Sequence, residues 1–68
     1  MKVLIADSSA LMRKSLSEML QSDDEIQVVG TAYDGKDTLR KVEQLRPDVL
    51  TLDISIEDGL EVVERLMR

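Results

Sequence analysis

The sequence contains no cysteine, no histidine and no tryptophan, and its aromatic content comes down to one residue, Tyr33. Without Cys no disulfide can form, and without Cys or His no thiolate or imidazole zinc site can be built. The lack of thiols is compatible with a reducing compartment, and a cytoplasmic location is the expectation. A formal net charge of −5 leaves no basic stripe, and one tyrosine makes no stacking platform, which argues against direct nucleic-acid binding. No stretch approaches the ~18 apolar residues of a membrane span. Val3 to Ala6, cut short by Asp7, falls well below the length of a signal-peptide core. At 68 residues the chain is one domain, residues 1–68, below the size at which a single core is comfortably stable. Two sources of added stability remain, a second subunit or a carboxylate-bound cation.

Three apolar runs punctuate the chain, Val3 to Ala6, Val28 to Ala32 and Val49 to Leu52. They are nearly continuous rather than alternating, which predicts strands buried on both faces and therefore a parallel sheet. Between them lie helical patterns. Met12, Leu16, Met19 and Leu20 form a stripe within Ser9 to Ser22, Leu39, Val42 and Leu45 within Lys36 to Arg46, and Leu60, Val63 and Met67, flanked by Val62 and Leu66, within Leu60 to Arg68. Asp7, Ser8 and Ser9 are N-cap candidates after the first strand, Asp34-Gly35 and Asp58-Gly59 are turns before the second and third helices, and Pro47 ends the second helix. The reading is β-α-β-α-β-α with no internal linker or low-complexity segment.

Right-handed crossovers limit how such a chain can fold. With the first strand central, the order is 2-1-3, the first helix covers one face and the other two helices cover the opposite face. Ligands of such sheets bind where the strand order reverses, at the carboxyl ends of strands one and three. Asp7 follows strand one and Asp53 follows strand three, so two acids 46 positions apart are expected at one crevice. Adjacent carboxylates repel, and a pair that stays ionised favours a bound cation. Oxygen-only ligands suit Mg²⁺, which retains waters and pairs one or two carboxylates with a substrate phosphate. A carboxylate so placed could attack a phosphoryl group. The plainer alternative is that acids at strand ends cap helices or face solvent.

The stretches "MKVLIADSSALMRKSLSEML" and "VVGTAYDGKDTLRKVEQLRPDVLTLDI", followed by "DGLEVVERLM", resemble the N-terminal half of a bacterial response-regulator receiver domain, and especially the receivers of chemotaxis methylesterases. The resemblance covers essentially the whole chain. It implies a flavodoxin-like fold, Asp53 as phospho-acceptor, Asp7 as a holder of Mg²⁺, and the backbone carbonyl of Ser55 as a further metal ligand. It also implies a sensor histidine kinase as phosphoryl donor. No Gly-rich phosphate loop, nucleophile elbow or metalloprotease motif is present, so an independent enzyme is not expected.

Three departures from that pattern stand out. Receivers carry two successive acids after strand one, whereas Asp7 is followed here by Ser8, a neutral and weaker ligand, so Mg²⁺ binding is expected to be weak or lost. The segment "DISIEDG" is about two residues shorter than its counterparts and lacks their Met-Pro, so the acceptor loop is altered, and Glu57 or Asp58 becomes a candidate replacement ligand. The sequence offers no fourth or fifth strand with the hydroxyl and lysine that contact the phosphoryl group in the family. Lys36 and Lys41 belong to the second helix and do not substitute for it. The expectation is a truncated receiver whose phosphorylation is impaired.

Such a half-domain would leave strand three as an apolar edge, and an edge of this kind invites pairing with a second copy. A homodimer or higher homo-oligomer, joined through strand three as 2-1-3-3′-1′-2′, is therefore expected. The alternative to a phosphorelay receiver is an interaction module that associates with itself or with another receiver without chemistry. Of the remaining residues, Met12, Met19 and Met67 are assigned to core packing, Tyr33 to packing against neighbouring side-chain stems, and Asp23, Asp24 and Glu25 to a solvated loop.

Overall fold

The computed structural model describes residues 1–67. Its elements are β1 (Lys2–Ala6), α1 (Ala10–Gln21), β2 (Gln27–Ala32), α2 (Gly35–Leu45), β3 (Val49–Leu52) and α3 (Gly59–Leu66). The sheet is parallel with order β2-β1-β3, as the crossover argument requires. The central strand pairs Val3, Leu4, Ile5 and Ala6 with Val49, Leu50, Thr51 and Leu52 without a break. Its pairing with β2 slips once: Val3 faces Val28 while Leu4 faces Gly30. Val29 is the additional residue of that irregularity. Among the described residues no helix is long and apolar enough to cross a membrane.

Burial follows the central strand. Val3, Leu4, Ile5 and Ala6 are all buried, because β1 has a neighbour on each edge and helices over both faces. Ala6, Ala32 and Ile56 form a buried cluster with Leu50 and Leu52 packed against it. Alternation along the strands assigns this layer to the side covered by α2 and α3, and Val3 and Ile5 to the α1 side. The small side chain of Ala6 lets Ile56 reach the sheet from the loop after β3.

The helices start and stop for identifiable reasons. Ser9 is the N-cap of α1, its hydroxyl accepting from the Met12 amide at 3.2 Å. Asp34 caps α2 in the same way, accepting from the Asp37 amide at 2.8 Å. Arg46 ends α2 in the left-handed region at φ 47°, ψ 60°, and Pro47 then blocks continuation.

Several apolar assignments need correction. α1 buries no residue: Met12 and Met19 are exposed, Met19 at 66%. A single helix laid on one face of three strands half-buries Leu16 and Leu20 and leaves its flanks in solvent. In α3 the contact face is Val62, fully buried, while Leu60, Val63 and Met67 are exposed, Leu60 at 64%. The third helix is therefore rotated relative to its predicted stripe, because Gly59 and Val62 are the positions that meet the core. Tyr33 is exposed rather than packed, since it lies beyond the last paired residue of β2. Arg68 lies outside the described residues.

Candidate functional site

The two acids converge. The backbone ladder of β1 and β3 continues one position beyond Leu52, where the Asp53 amide donates to the Ala6 carbonyl at 3.0 Å, and on the other edge the Asp7 amide donates to the Ala32 carbonyl at 3.0 Å. Asp7 and Asp53 thereby line one open cleft of about 220 Å³ with Ala6, Leu16, Thr51 and Leu52. It lies at the carboxyl rim of the sheet, between the ends of β1 and β3.

Each carboxylate is oriented by its own following turn. Asp7 Oδ1 accepts from the Ser9 amide at 2.9 Å, and the Asp7 carbonyl accepts from Arg13 Nη1 at 2.8 Å. The first acid is thus held by the N-cap and the first turn of α1. Asp53 Oδ1 accepts from the Ser55 hydroxyl at 2.7 Å and the Ser55 amide at 2.9 Å. Those two bonds, the hydroxyl first, hold the Asp53 carboxyl below its usual range.

The loop from Asp53 to Asp58 is compact. Ile56 N donates to the Asp53 carbonyl at 3.1 Å and Gly59 N to the Ile56 carbonyl at 3.0 Å. The Ile56 side chain is buried beneath it. Glu57 and Asp58, the candidate replacement ligands, are exposed and do not line the acid cleft. Asp58 lines a second depression with Ile54, Ile56, Gly59, Leu60 and Glu61. Ser8 is exposed beside Asp7. Lys36 is exposed on α2, and Lys41 is committed to Asp37 and to the carbonyl of Thr31.

Two features escaped the sequence reading. Thr51 lines the cleft with a buried hydroxyl that has no hydrogen-bond partner among the described residues. A threonine inside an apolar strand that ends in an acid was the available signal. Asp37 is only 4% exposed. Burial pushes its carboxyl up, but the hydrogen bond from Arg40, the adjacent Lys41 ammonium and the Tyr33 backbone outweigh burial and leave it below the ordinary value. Lys41 Nζ stands 3.3 Å from Asp37 Oδ2, as an ion pair rather than an aligned hydrogen bond.

The donor set can be tested against Mg²⁺ on chemistry alone. Among the described residues no group of three acidic side chains converges into a ready cage. Two carboxylates on one open cleft nevertheless suit an ion that keeps most of its waters and takes few protein ligands. The residues fit a sparsely liganded Mg²⁺, and the hydrogen bonds that orient both acids use only their Oδ1 atoms.

The parallel β2-β1-β3 order agrees with the comparisons with known proteins. A profile of the response regulator receiver domain family matches residues 3–68. The chain belongs to that family. It is 58% identical to a protein-glutamate methylesterase/protein-glutamine glutaminase of Hydrogenovibrio crunogenus, an alignment covering 98% of this chain and 18% of that protein. A second such protein, from Koribacter versatilis, is 49% identical over 98% of this chain and 19% of its own length. The crystal structure of the response regulator domain of Thermotoga maritima CheB superposes with a TM-score of 0.93 at 38% identity, covering 98% of this chain and 52% of that one. The chain thus spans roughly a fifth of the curated relatives it matches and about half of the solved receiver. It is a receiver module of the chemotaxis-methylesterase type.

Proposed function

We propose that residues 1–68 act as a phosphorelay receiver in which Asp53 accepts a phosphoryl group from the phosphohistidine of a sensor histidine kinase. A carboxylate oxygen of Asp53 bonds to phosphorus while the phosphorus–nitrogen bond breaks, and the imidazole leaves with the electron pair. The observation that supports this reading is the placement of Asp7 and Asp53 on one cleft at the ends of adjacent strands. Asp7, Asp53 and the Ser55 backbone carbonyl are the proposed Mg²⁺ holders, and the ion, when bound, would neutralise charge on the transferring phosphoryl oxygens. The protein's own part is orientation: Arg13 and Ser9 fix Asp7, and Ser55 aims the Asp53 carboxylate through its Oδ1. Incubation with acetyl phosphate and Mg²⁺ followed by intact mass is the test. An ~80 Da increment that disappears in Asp53→Asn supports the acceptor role, and its absence under conditions that label a complete receiver overturns it in favour of a phosphorylation-independent interaction module.

We further infer self-association through β3. Among the described residues β3 pairs only with β1, and its first residue, Val49, is 39% exposed. Antiparallel pairing of two such edges would satisfy the open backbone groups of both copies. A cytoplasmic setting accords with this two-component reading. Sedimentation at micromolar concentration should give a dimer or larger species, and a purely monomeric profile refutes the pairing.

A further inference from the structure

Gly35 opens α2 at a point with no room for a side chain. A Cβ there would lie 2.7 Å from Asp58 Cβ and 2.7 Å from the Asp58 carbonyl oxygen. The Gly35 amide also donates to the Glu57 carbonyl at 2.7 Å. Both contacts run from the start of α2 to the loop that carries Asp53, and neither involves the acid cleft. Asp58 itself is left-handed at φ 62° and makes no side-chain cap to α3. A residue with a Cβ persists in that region only where its surroundings fix it. Here Gly35 presses on one side. On the other lies Gly59, whose Cβ would meet the Ile54 carbonyl oxygen at 2.6 Å.

The opposite end of the same loop is shaped by Asp53. Its Oδ1 gathers the Ser55 hydroxyl and amide, and Ile56 is then inserted into the core. From Ile56 the chain has one residue, Glu57, before the Asp58 turn against Gly35. So short a connection leaves little slack between the carboxylate and the amino end of α2.

We propose that Gly35 is a positioning residue for the acceptor loop, and that Asp53 and the N-terminus of α2 are two ends of one latch running through Ser55, Ile56 and Glu57. When Asp53 Oδ1 leaves its turn, the Gly35–Glu57 contact loosens. By reciprocity, a partner that grips the start of α2 changes the state of Asp53. The inference deepens the acceptor reading and rests on it for its biological meaning.

Amide hydrogen exchange of the protein, followed residue by residue by NMR, tests the latch without any phosphoryl donor. Failure of labelling and failure of the latch are therefore separate results. Asp53→Ala should accelerate exchange at Gly35 by roughly tenfold more than at Leu4 and Ile5, whose amides report opening of the whole sheet. Ser55→Ala, a milder change that keeps the acid, should act in the same direction with a smaller effect, and serves where Asp53→Ala does not fold. A Gly35 rate that is unchanged, or that rises only in step with Leu4 and Ile5, overturns the proposal. As a positional check, Gly35→Ala should shift the Ser55 amide resonance and its exchange rate while leaving those of Ser9 unaltered. An unaltered Ser55 amide refutes the coupling.

Discussion

The amide of Asp53 donates to the carbonyl of Ala6 at 3.0 Å, so the last bond of the β1–β3 ladder is made by the same residue that offers its carboxylate to the cleft. Backbone pairing therefore fixes where the second acid begins, and the Ser55 turn fixes where it points. The convergence of Asp7 and Asp53 follows from sheet register and needs no direct bond between their side chains.

The neutral residue beside Asp7 is the plainest point at which to alter the site. Ser8 is exposed and adjacent to the cleft. Ser8→Asp should tighten Mg²⁺ binding by roughly tenfold, because a third negative ligand raises the field at the ion. Titration with Mg²⁺ monitored by NMR shifts of the Asp7 and Asp53 amides measures it, and an unchanged affinity would show that the metal does not engage this edge.

The end of α2 holds a correctable strain. Arg46 adopts φ 47° as the C-cap and is exposed, and a glycine there avoids the Cβ penalty of the left-handed region. Arg46→Gly should stabilise the fold by about 0.5–1 kcal/mol in urea unfolding. A loss of stability would mean that the Arg46 side chain contributes more than its backbone costs.

The rotation of α3 away from its predicted stripe can be read out directly. Val62→Ala should cost about 1.5–3 kcal/mol by removing fully buried methyl groups, whereas Leu60→Ala should stay within about 0.5 kcal/mol. Thermal melts of the two variants suffice, and equal losses would contradict the burial pattern.

Asp37 sets an acid limit on stability. Its folded-state pKa lies below the ordinary 3.8, so its stabilising contribution is complete above that value and fades as pH falls through the depressed one. Melts of wild type and Asp37→Asn should differ by about 1.5–3 kcal/mol at neutral pH, since the variant leaves Arg40 and Lys41 without their charged acceptor. The two curves should converge in strong acid. A gap that persists there would assign the loss to packing.

The sheet order and the shared rim of Asp7 and Asp53 were legible because continuous apolar runs, turn residues and crossover handedness leave few topologies. The dispositions of Met19 and Leu60 were not. Helical periodicity shows that a face is apolar, but which face meets the core depends on how many elements cover it and on where the chain packs closest, as Gly59 does against the Ile54 carbonyl. The slip at Val29 was signalled only by Gly30 within a strand pattern. Asp37 was hidden for a different reason: a charged residue in the first turn of a helix reads as solvent-facing, and only the tertiary fold supplies the burial and the Lys41 ammonium beside it.

At the rim opposite the cleft, the Asp48 carboxylate accepts from the Lys2 amide at 2.7 Å and the Met1 ammonium donates to the Glu25 carbonyl at 2.7 Å. The loop of Asp23, Asp24 and Glu25 therefore sits at the far end of the molecule from the acids. Because the sequence has no native thiol, a cysteine introduced at Asp24 would be a unique chemical handle. Tethered there to a sensor surface, every molecule would present its acidic crevice outward, toward whatever is flowed across it.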